Sequence, residues 1–132
     1  MFAAPMKFQP DTPNGLNAIS RHEPGQVWVG AAAFSESVIV PWEGNVLPWA
    51  VRQFDELTAA HFEHIAELGP ELVIFGSGRR LRFAHPSLLR ALIDRRIGVE
   101  TMDTAAACRT YNVLFSERRS VVAALLLEAP GA

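Results

Sequence analysis

"VETMDTAAACRTYNVL", residues 99–114, reads as a strand that turns sharply into a helix. Asp103 and Thr104 stand at the turn, and both are good helix caps. Their side-chain oxygens accept backbone N–H groups that have no helical partner in the first turn. Working outward, the same alternation repeats. "ELVIFGSG" (71–78) is a short, continuously apolar run, the pattern of a strand covered on both faces. "HPSLLRALIDRR" (85–96) is a helix with Pro86 at its first position. "GVETM" (98–102) and "SVVAALLL" (120–127) are strands. Upstream, "DELTAAHFEHIAELGP" (55–70) is a helix in which Leu57, His61, Ile65 and Leu68 share a face, stopped by Gly69-Pro70. From residue 55 the order is helix, strand, helix, strand, helix, strand. That order predicts an α/β fold with a largely parallel sheet and helices packed on it.

The N-terminal half predicts additional antiparallel strands. "LNAISRHEPGQVWVG" (16–30) is a hairpin with Pro24-Gly25 at the centre of its turn. In "AFSESVIV" (33–40), Phe34, Glu36, Val38 and Val40 alternate with Ser35, Ser37 and Ile39 as in one strand that Pro41 ends. "PWEGNVLPW" (41–49) is a loop with Trp42 and Trp49 as anchors. "MFAAPMKFQPDTPNG" carries three of the nine prolines and reads as a loose arm, residues 1–15, ahead of a single α/β domain, residues 16–132. A chain of 132 residues fits one core.

Composition narrows the function classes. Hydrophobic residues make up 49%, charged residues 20%, and the formal net charge is −2. Without a basic excess, nucleic acid is not an expected partner. A lone cysteine cannot form an internal disulfide, which suits a reducing compartment. The longest apolar run, "VVAALLL" (121–127), is far short of the ~20 residues of a transmembrane helix, and the N-terminus lacks the order of a signal peptide.

The junctions after two parallel strands open on the same side of such a sheet, where ligands commonly bind. One is "GSGRR": Gly76 and Gly78 expose backbone N–H groups, Ser77 adds a hydroxyl, and Arg79 and Arg80 add positive charge. The other is Met102-Asp103-Thr104. Together they could hold a small anion, although no phosphate-loop motif is present. Cys108 lies in the first turns of a helix, where a thiol pKa falls, but it shares a face with Tyr111 and Phe115. There it reads as a small buried hydrophobe rather than a nucleophile. Arg109 and Asn112 lie on the opposite, polar face, which is either solvated surface or a recognition face. Glu100, inside a strand expected to be covered, calls for an ion pair with Arg109, Arg79 or Arg119. His61 and His64 are three apart, but no further metal ligands accompany them, so no metal is expected. Tyr111 and Asn112 could equally close a structural corner, the hydroxyl and amide bonding backbone groups.

"GVETMDTAAACRTYNVLFSERRSVVAALL" (98–126) resembles the signature of an uncharacterised bacterial, archaeal and eukaryotic family. That family includes mitochondrial complex I assembly factor 3 and the adipogenesis-associated protein of animals. The resemblance runs from about Ile19 to Leu127 and is most specific at Gly76-Ser77-Gly78, Gly98-Val99-Glu100, Met102-Asp103-Thr104, Ala107 to Asn112 and Glu117-Arg118. Ser77 replaces the family's usual threonine and keeps the hydroxyl. The resemblance implies a compact α/β fold with a central mixed sheet and helices packed on it, and no established enzymatic activity or cofactor. It also implies a role in assembling a membrane or respiratory protein complex with a protein partner. The arm lacks the arginines of a mitochondrial presequence, which favours a bacterial, cytoplasmic protein.

Two functions therefore stand as expectations. One is a binding or assembly module that grips another protein, a membrane-associated one included, through the Arg109/Asn112 face, the Gly76–Arg80 loop, Trp42 and Trp49. The alternative is a small-molecule or anion-binding protein or enzyme, with Ser77, Asp103, Thr104, Cys108 and Arg109 around a pocket between "GSGRR" and "MDT". A homo-oligomer is compatible with either.

Overall fold

The computed structural model describes residues 15–129. The arm assigned to residues 1–15 lies, but for Gly15, outside the described residues. Eight strands and three helices follow: β1 (Ile19–Glu23), β2 (Gln26–Val29), β3 (Ala32–Phe34), β4 (Val38–Pro41), β5 (Leu47–Pro48), α1 (Ala59–Ala66), β6 (Leu72–Gly76), α2 (Arg90–Asp94), β7 (Gly98–Met102), α3 (Thr104–Ser116) and β8 (Val121–Leu125). Strands β1, β2 and β3 form a three-stranded antiparallel sheet. The main sheet has the order β5-β4-β8-β6-β7. Its β8, β6 and β7 are parallel, and β4 and β5 add antiparallel strands at one edge.

The alternation of side chains along β8 divides the core. Val122 and Ala124 face the layer of α1 and α2, with Phe62, Ile65, Leu92 and Phe75. Val121, Ala123 and Leu125 face α3 and the small sheet, with Cys108, Tyr111, Ile74 and Val27. A strand covered on both sides has no polar face, which is why β6 and β8 read as unbroken apolar runs. Gly76 ends β6 where α3 crosses it: a Cβ there would lie 3.0 Å from the Thr104 backbone and 3.1 Å from Ala107. The missing side chain lets the helix start directly over the strand end.

Several local expectations are corrected. The run from Phe34 to Val40 is two strands, because Phe34 pairs with Val27 in the small sheet and Val38 pairs with Leu125 in the main one. α1 starts only at Ala59, capped at Thr58. Of the expected stripe, Leu57 and Ile65 are buried and Leu68 packs on the core, while His61 stays partly exposed and Phe62 and Ala66 complete the buried face. His61 helps to set that start: its Nδ1 accepts the Thr58 N–H at 2.9 Å, leaving Nε2 to donate to the Ala50 carbonyl at 2.9 Å. Trp49 is not an exposed anchor. It is buried edge-on against Phe62 and Phe75, its indole N–H donating to the His61 carbonyl, and Trp42 packs half-buried on the same core. Glu100 is exposed, because β7 is the edge of the sheet, and it forms none of the ion pairs among the described residues.

Candidate functional site: a cleft at the carboxyl ends of the parallel strands

The loop after β6 and the cap of α3 are joined directly. The Ser77 N–H donates to the Met102 carbonyl at 2.8 Å and the Thr104 N–H to the Gly78 carbonyl at 2.9 Å. The Thr104 hydroxyl accepts the Gly78 N–H at 2.9 Å and donates to the Leu126 carbonyl at 2.8 Å. One side chain thus links the ends of all three parallel strands. The Asp103 carboxylate accepts the Ala106 N–H at 2.8 Å, the N-cap its sequence position predicts. Against these ends lies a cleft of about 340 Å³. Its floor comes from Gly78, Thr104 and Leu126, and its far wall is the turn between β1 and β2, including Glu23 and Gly25.

The predicted site residues separate into two groups. Gly78, Arg79, Asp103 and Thr104 line the cleft together with Ala105. Gly76 and Ser77 lie beneath it, fully buried. The Ser77 oxygen donates to the Arg80 carbonyl at 2.8 Å and accepts the Arg82 N–H at 3.0 Å, so it shapes the loop from inside. Arg109 is exposed one helical turn beyond Ala105. Asn112 brackets β1: its Oδ1 accepts the Ile19 N–H at 3.0 Å and its Nδ2 donates to the Ile19 carbonyl at 2.7 Å. The Tyr111 hydroxyl donates to the Asn17 carbonyl at 2.6 Å, and its ring stacks on Phe115.

Cys108 is fully buried beside Tyr111, and burial pushes its thiol up to about 12, only partly offset by the Arg109 charge. At neutral pH the thiolate, which is the nucleophile, is then scarce. Labelling with a thiol reagent at neutral pH should be slow in the folded protein and become fast when denaturant is added. Rapid labelling of the native protein would place the sulfur at the surface.

The residue at the heart of the loop is one that the sequence reading did not single out. Glu128 follows the apolar run of β8 and is buried. Its Oε1 accepts from Arg82 Nη2 at 2.5 Å and from the Arg79 N–H at 3.4 Å, and its Oε2 accepts the Phe54 N–H at 3.2 Å. Arg82 also donates to the Ser77 carbonyl and stacks its guanidinium over the Phe54 ring. Gly78 must be glycine here: its φ is +105°, and a Cβ would run into the Glu128 carboxylate. A charged residue directly after "VVAALLL" is the one trace of this arrangement in the sequence.

The fold and the loop arrangement define a class. The family described as a protein of unknown function, DUF498/DUF598, matches residues 19–126, and the chain belongs to it. It is 33% identical over 126 residues to the mouse protein named NADH dehydrogenase [ubiquinone] 1 alpha subcomplex assembly factor 3, covering 94% of this chain and 66% of that protein. The chain thus spans about two thirds of the length of this curated relative. A crystal structure from Bordetella parapertussis is similar with a TM-score of 0.82 and 38% identity, covering 88% of this chain and 99% of that one. The solution structure of a Bordetella pertussis protein, described as a Mth938-like domain, has a TM-score of 0.79 at 32% identity, covering 94% of each chain.

Proposed function

We propose that this chain is a non-enzymatic protein-binding module that assists assembly of a membrane or respiratory protein complex, working in the cytoplasm of a bacterium. The observation that carries the reading is the 33% identity to a complex I assembly factor over 94% of the chain. The higher identity to a Bordetella structure, 38%, supports a bacterial setting. The surface for a partner is the outer face of α3. Ala105, Arg109 and Val113 are exposed there at spacings of four, so they form one stripe leading away from the cleft. Arginine beside an apolar side chain is a common composition for an interface centre, because its flat fork pairs with carboxylates while its stem packs. Asn112 does not belong to this stripe, its amide being engaged by Ile19.

The test is to delete the gene in its own cell, restore it as parent or Arg109→Ala, and resolve solubilised membranes on native gels. Loss of an assembled complex on deletion, rescue by the parent and rescue at least about threefold weaker by Arg109→Ala would support the reading. Equal rescue by both would remove Arg109 from the interface. Unchanged complexes on deletion would sink the assembly role.

A small-molecule or anion-binding protein or enzyme is the second reading. It is favoured by the position of the cleft at the carboxyl ends of parallel strands. Its walls carry Arg79 against Glu23 and Asp103, a mixed lining suited to a zwitterion better than to a simple anion. Thermal-shift screening of small polar metabolites addresses it directly.

A further inference from the structure

The positive charge of this chain is concentrated. Residues 79–96, "RRLRFAHPSLLRALIDRR", hold six of the twelve basic residues and one, Asp94, of the fourteen acidic ones. Six minus one gives the segment a formal charge of +5 within a chain of −2. It comprises the loop after β6, a 3-10 turn at Pro86–Leu89, and α2. The same segment exposes large apolar side chains: Phe83 is 69% exposed, Leu81 52% and Ile93 49%.

The inward pull on Arg82 explains the loop's outward face. Arg82 is held by Glu128, the Ser77 carbonyl and the Phe54 ring. Its two neighbours of alternate direction, Leu81 and Phe83, are therefore turned to solvent. Arg79 and Arg80 precede them, and Arg90 and Arg96 follow, all exposed. Arg95 donates to the Ala66 carbonyl and so helps to hold α2 in place.

We infer that the Arg79–Phe83 loop is a docking surface for an anionic lipid bilayer, with Leu81 and Phe83 entering the boundary between headgroups and acyl chains and the exposed arginines on lipid phosphates. Charge complementarity selects an anionic partner, and an exposed aromatic and leucine within the basic cluster select one with an apolar layer behind the charge. A purely acidic protein surface, with no apolar patch beside its carboxylates, would satisfy the arginines and leave Phe83 in water. The contact is that of a surface loop; no helix among the described residues is long and apolar enough to cross a membrane. The inference stands apart from the assembly reading and uses none of its residues on α3.

The experiment is sedimentation of the full chain with vesicles of phosphatidylcholine, with and without about a third phosphatidylglycerol. The parent should bind the anionic vesicles, bind the neutral ones weakly, and be released by salt. Arg80→Glu should weaken binding at least about fivefold, the effect of one cation near an anionic leaflet. Phe83→Ser should weaken it about tenfold or more, the value of burying a phenyl ring. Both side chains are exposed, and unchanged thermal unfolding of the two variants would confirm that folding is intact. Failure of the parent to sediment, equal binding to neutral vesicles, or indifference to Phe83→Ser would overturn the inference. So would capture by polyglutamate beads with no vesicle binding, which would point to an acidic protein instead.

Discussion

Glu128→Ala should destabilise the domain by about 3 kcal/mol, the low end of what removing one partner of a buried ion pair costs. The low end applies because the Arg82 side chain keeps 21% of its surface while that of Glu128 keeps 1%. Without the carboxylate, Arg82 has lost its counter-charge, and the Phe54 and Arg79 N–H groups lose their acceptor. In a domain of this size the melting temperature should fall by roughly 10 °C. Replacing the pair together, Arg82→Met with Glu128→Leu, should recover much of the loss, because neither charge is then desolvated. A loss under about 1 kcal/mol for Glu128→Ala would mean that the pair behaves as a surface pair. The pH dependence follows from the same contacts. Burial raises the Glu128 pKa, but the hydrogen bonds from Arg82, Phe54 and Arg79 outweigh it and hold the carboxyl below its usual 4.5. A pKa depressed on folding stabilises fully above the unfolded value, and that contribution is lost as pH falls through the folded one. The stability gap between parent and Glu128→Gln should therefore be constant near neutrality and close at pH below 4.5.

The parts of the fold legible in the sequence are those decided by neighbours along the chain. The Pro24-Gly25 turn, the Asp103 cap and the apolar runs of β6 and β8 each depend on residues a few positions apart, and each forms where expected. What depends on distant neighbours was not legible. Alternation from Phe34 to Val40 is continuous, yet the two ends join different sheets, and period alone carries no record of which strand lies alongside. Glu100 sits in an apolar context, and only the strand order puts it on an edge. The cleft divides in the same way. Its Gly78–Arg79 and Asp103–Thr104 side follows from strand-to-helix junctions, whereas its hairpin wall and the Glu128–Arg82 pair come from contacts across the molecule. Glu128 stands 46 residues from Arg82, and no spacing rule connects them.

Tyr111→Ala should be the most damaging single change on the α3 side, costing about 3–5 kcal/mol for a fully buried aromatic whose site cannot close up. That is a large share of the 5–15 kcal/mol typical of a whole domain. The ring lies in the core cluster beneath the small sheet, stacked on Phe115 with centroids 5.8 Å apart. Its hydroxyl bonds the Asn17 carbonyl at 2.6 Å and the Pro41 carbonyl at 3.2 Å, tying the segment that leads into β1 to the end of β4. Tyr111→Phe isolates that tie and should cost about 1–2 kcal/mol, because the ring remains and a buried carbonyl loses its donor. Asn112 acts on the next part of the same segment through both polar groups of Ile19. The two side chains thus hold one strand from one helix, and their effects should not add. Once Tyr111→Phe has loosened residues 17–19, Asn112→Ala has less order left to remove. Urea unfolding of the two single variants and the double variant measures the coupling. Strict additivity would mean that Tyr111 and Asn112 grip the N-terminal strand independently, and that β1 is held to α3 by two separate contacts rather than by one cooperative clasp.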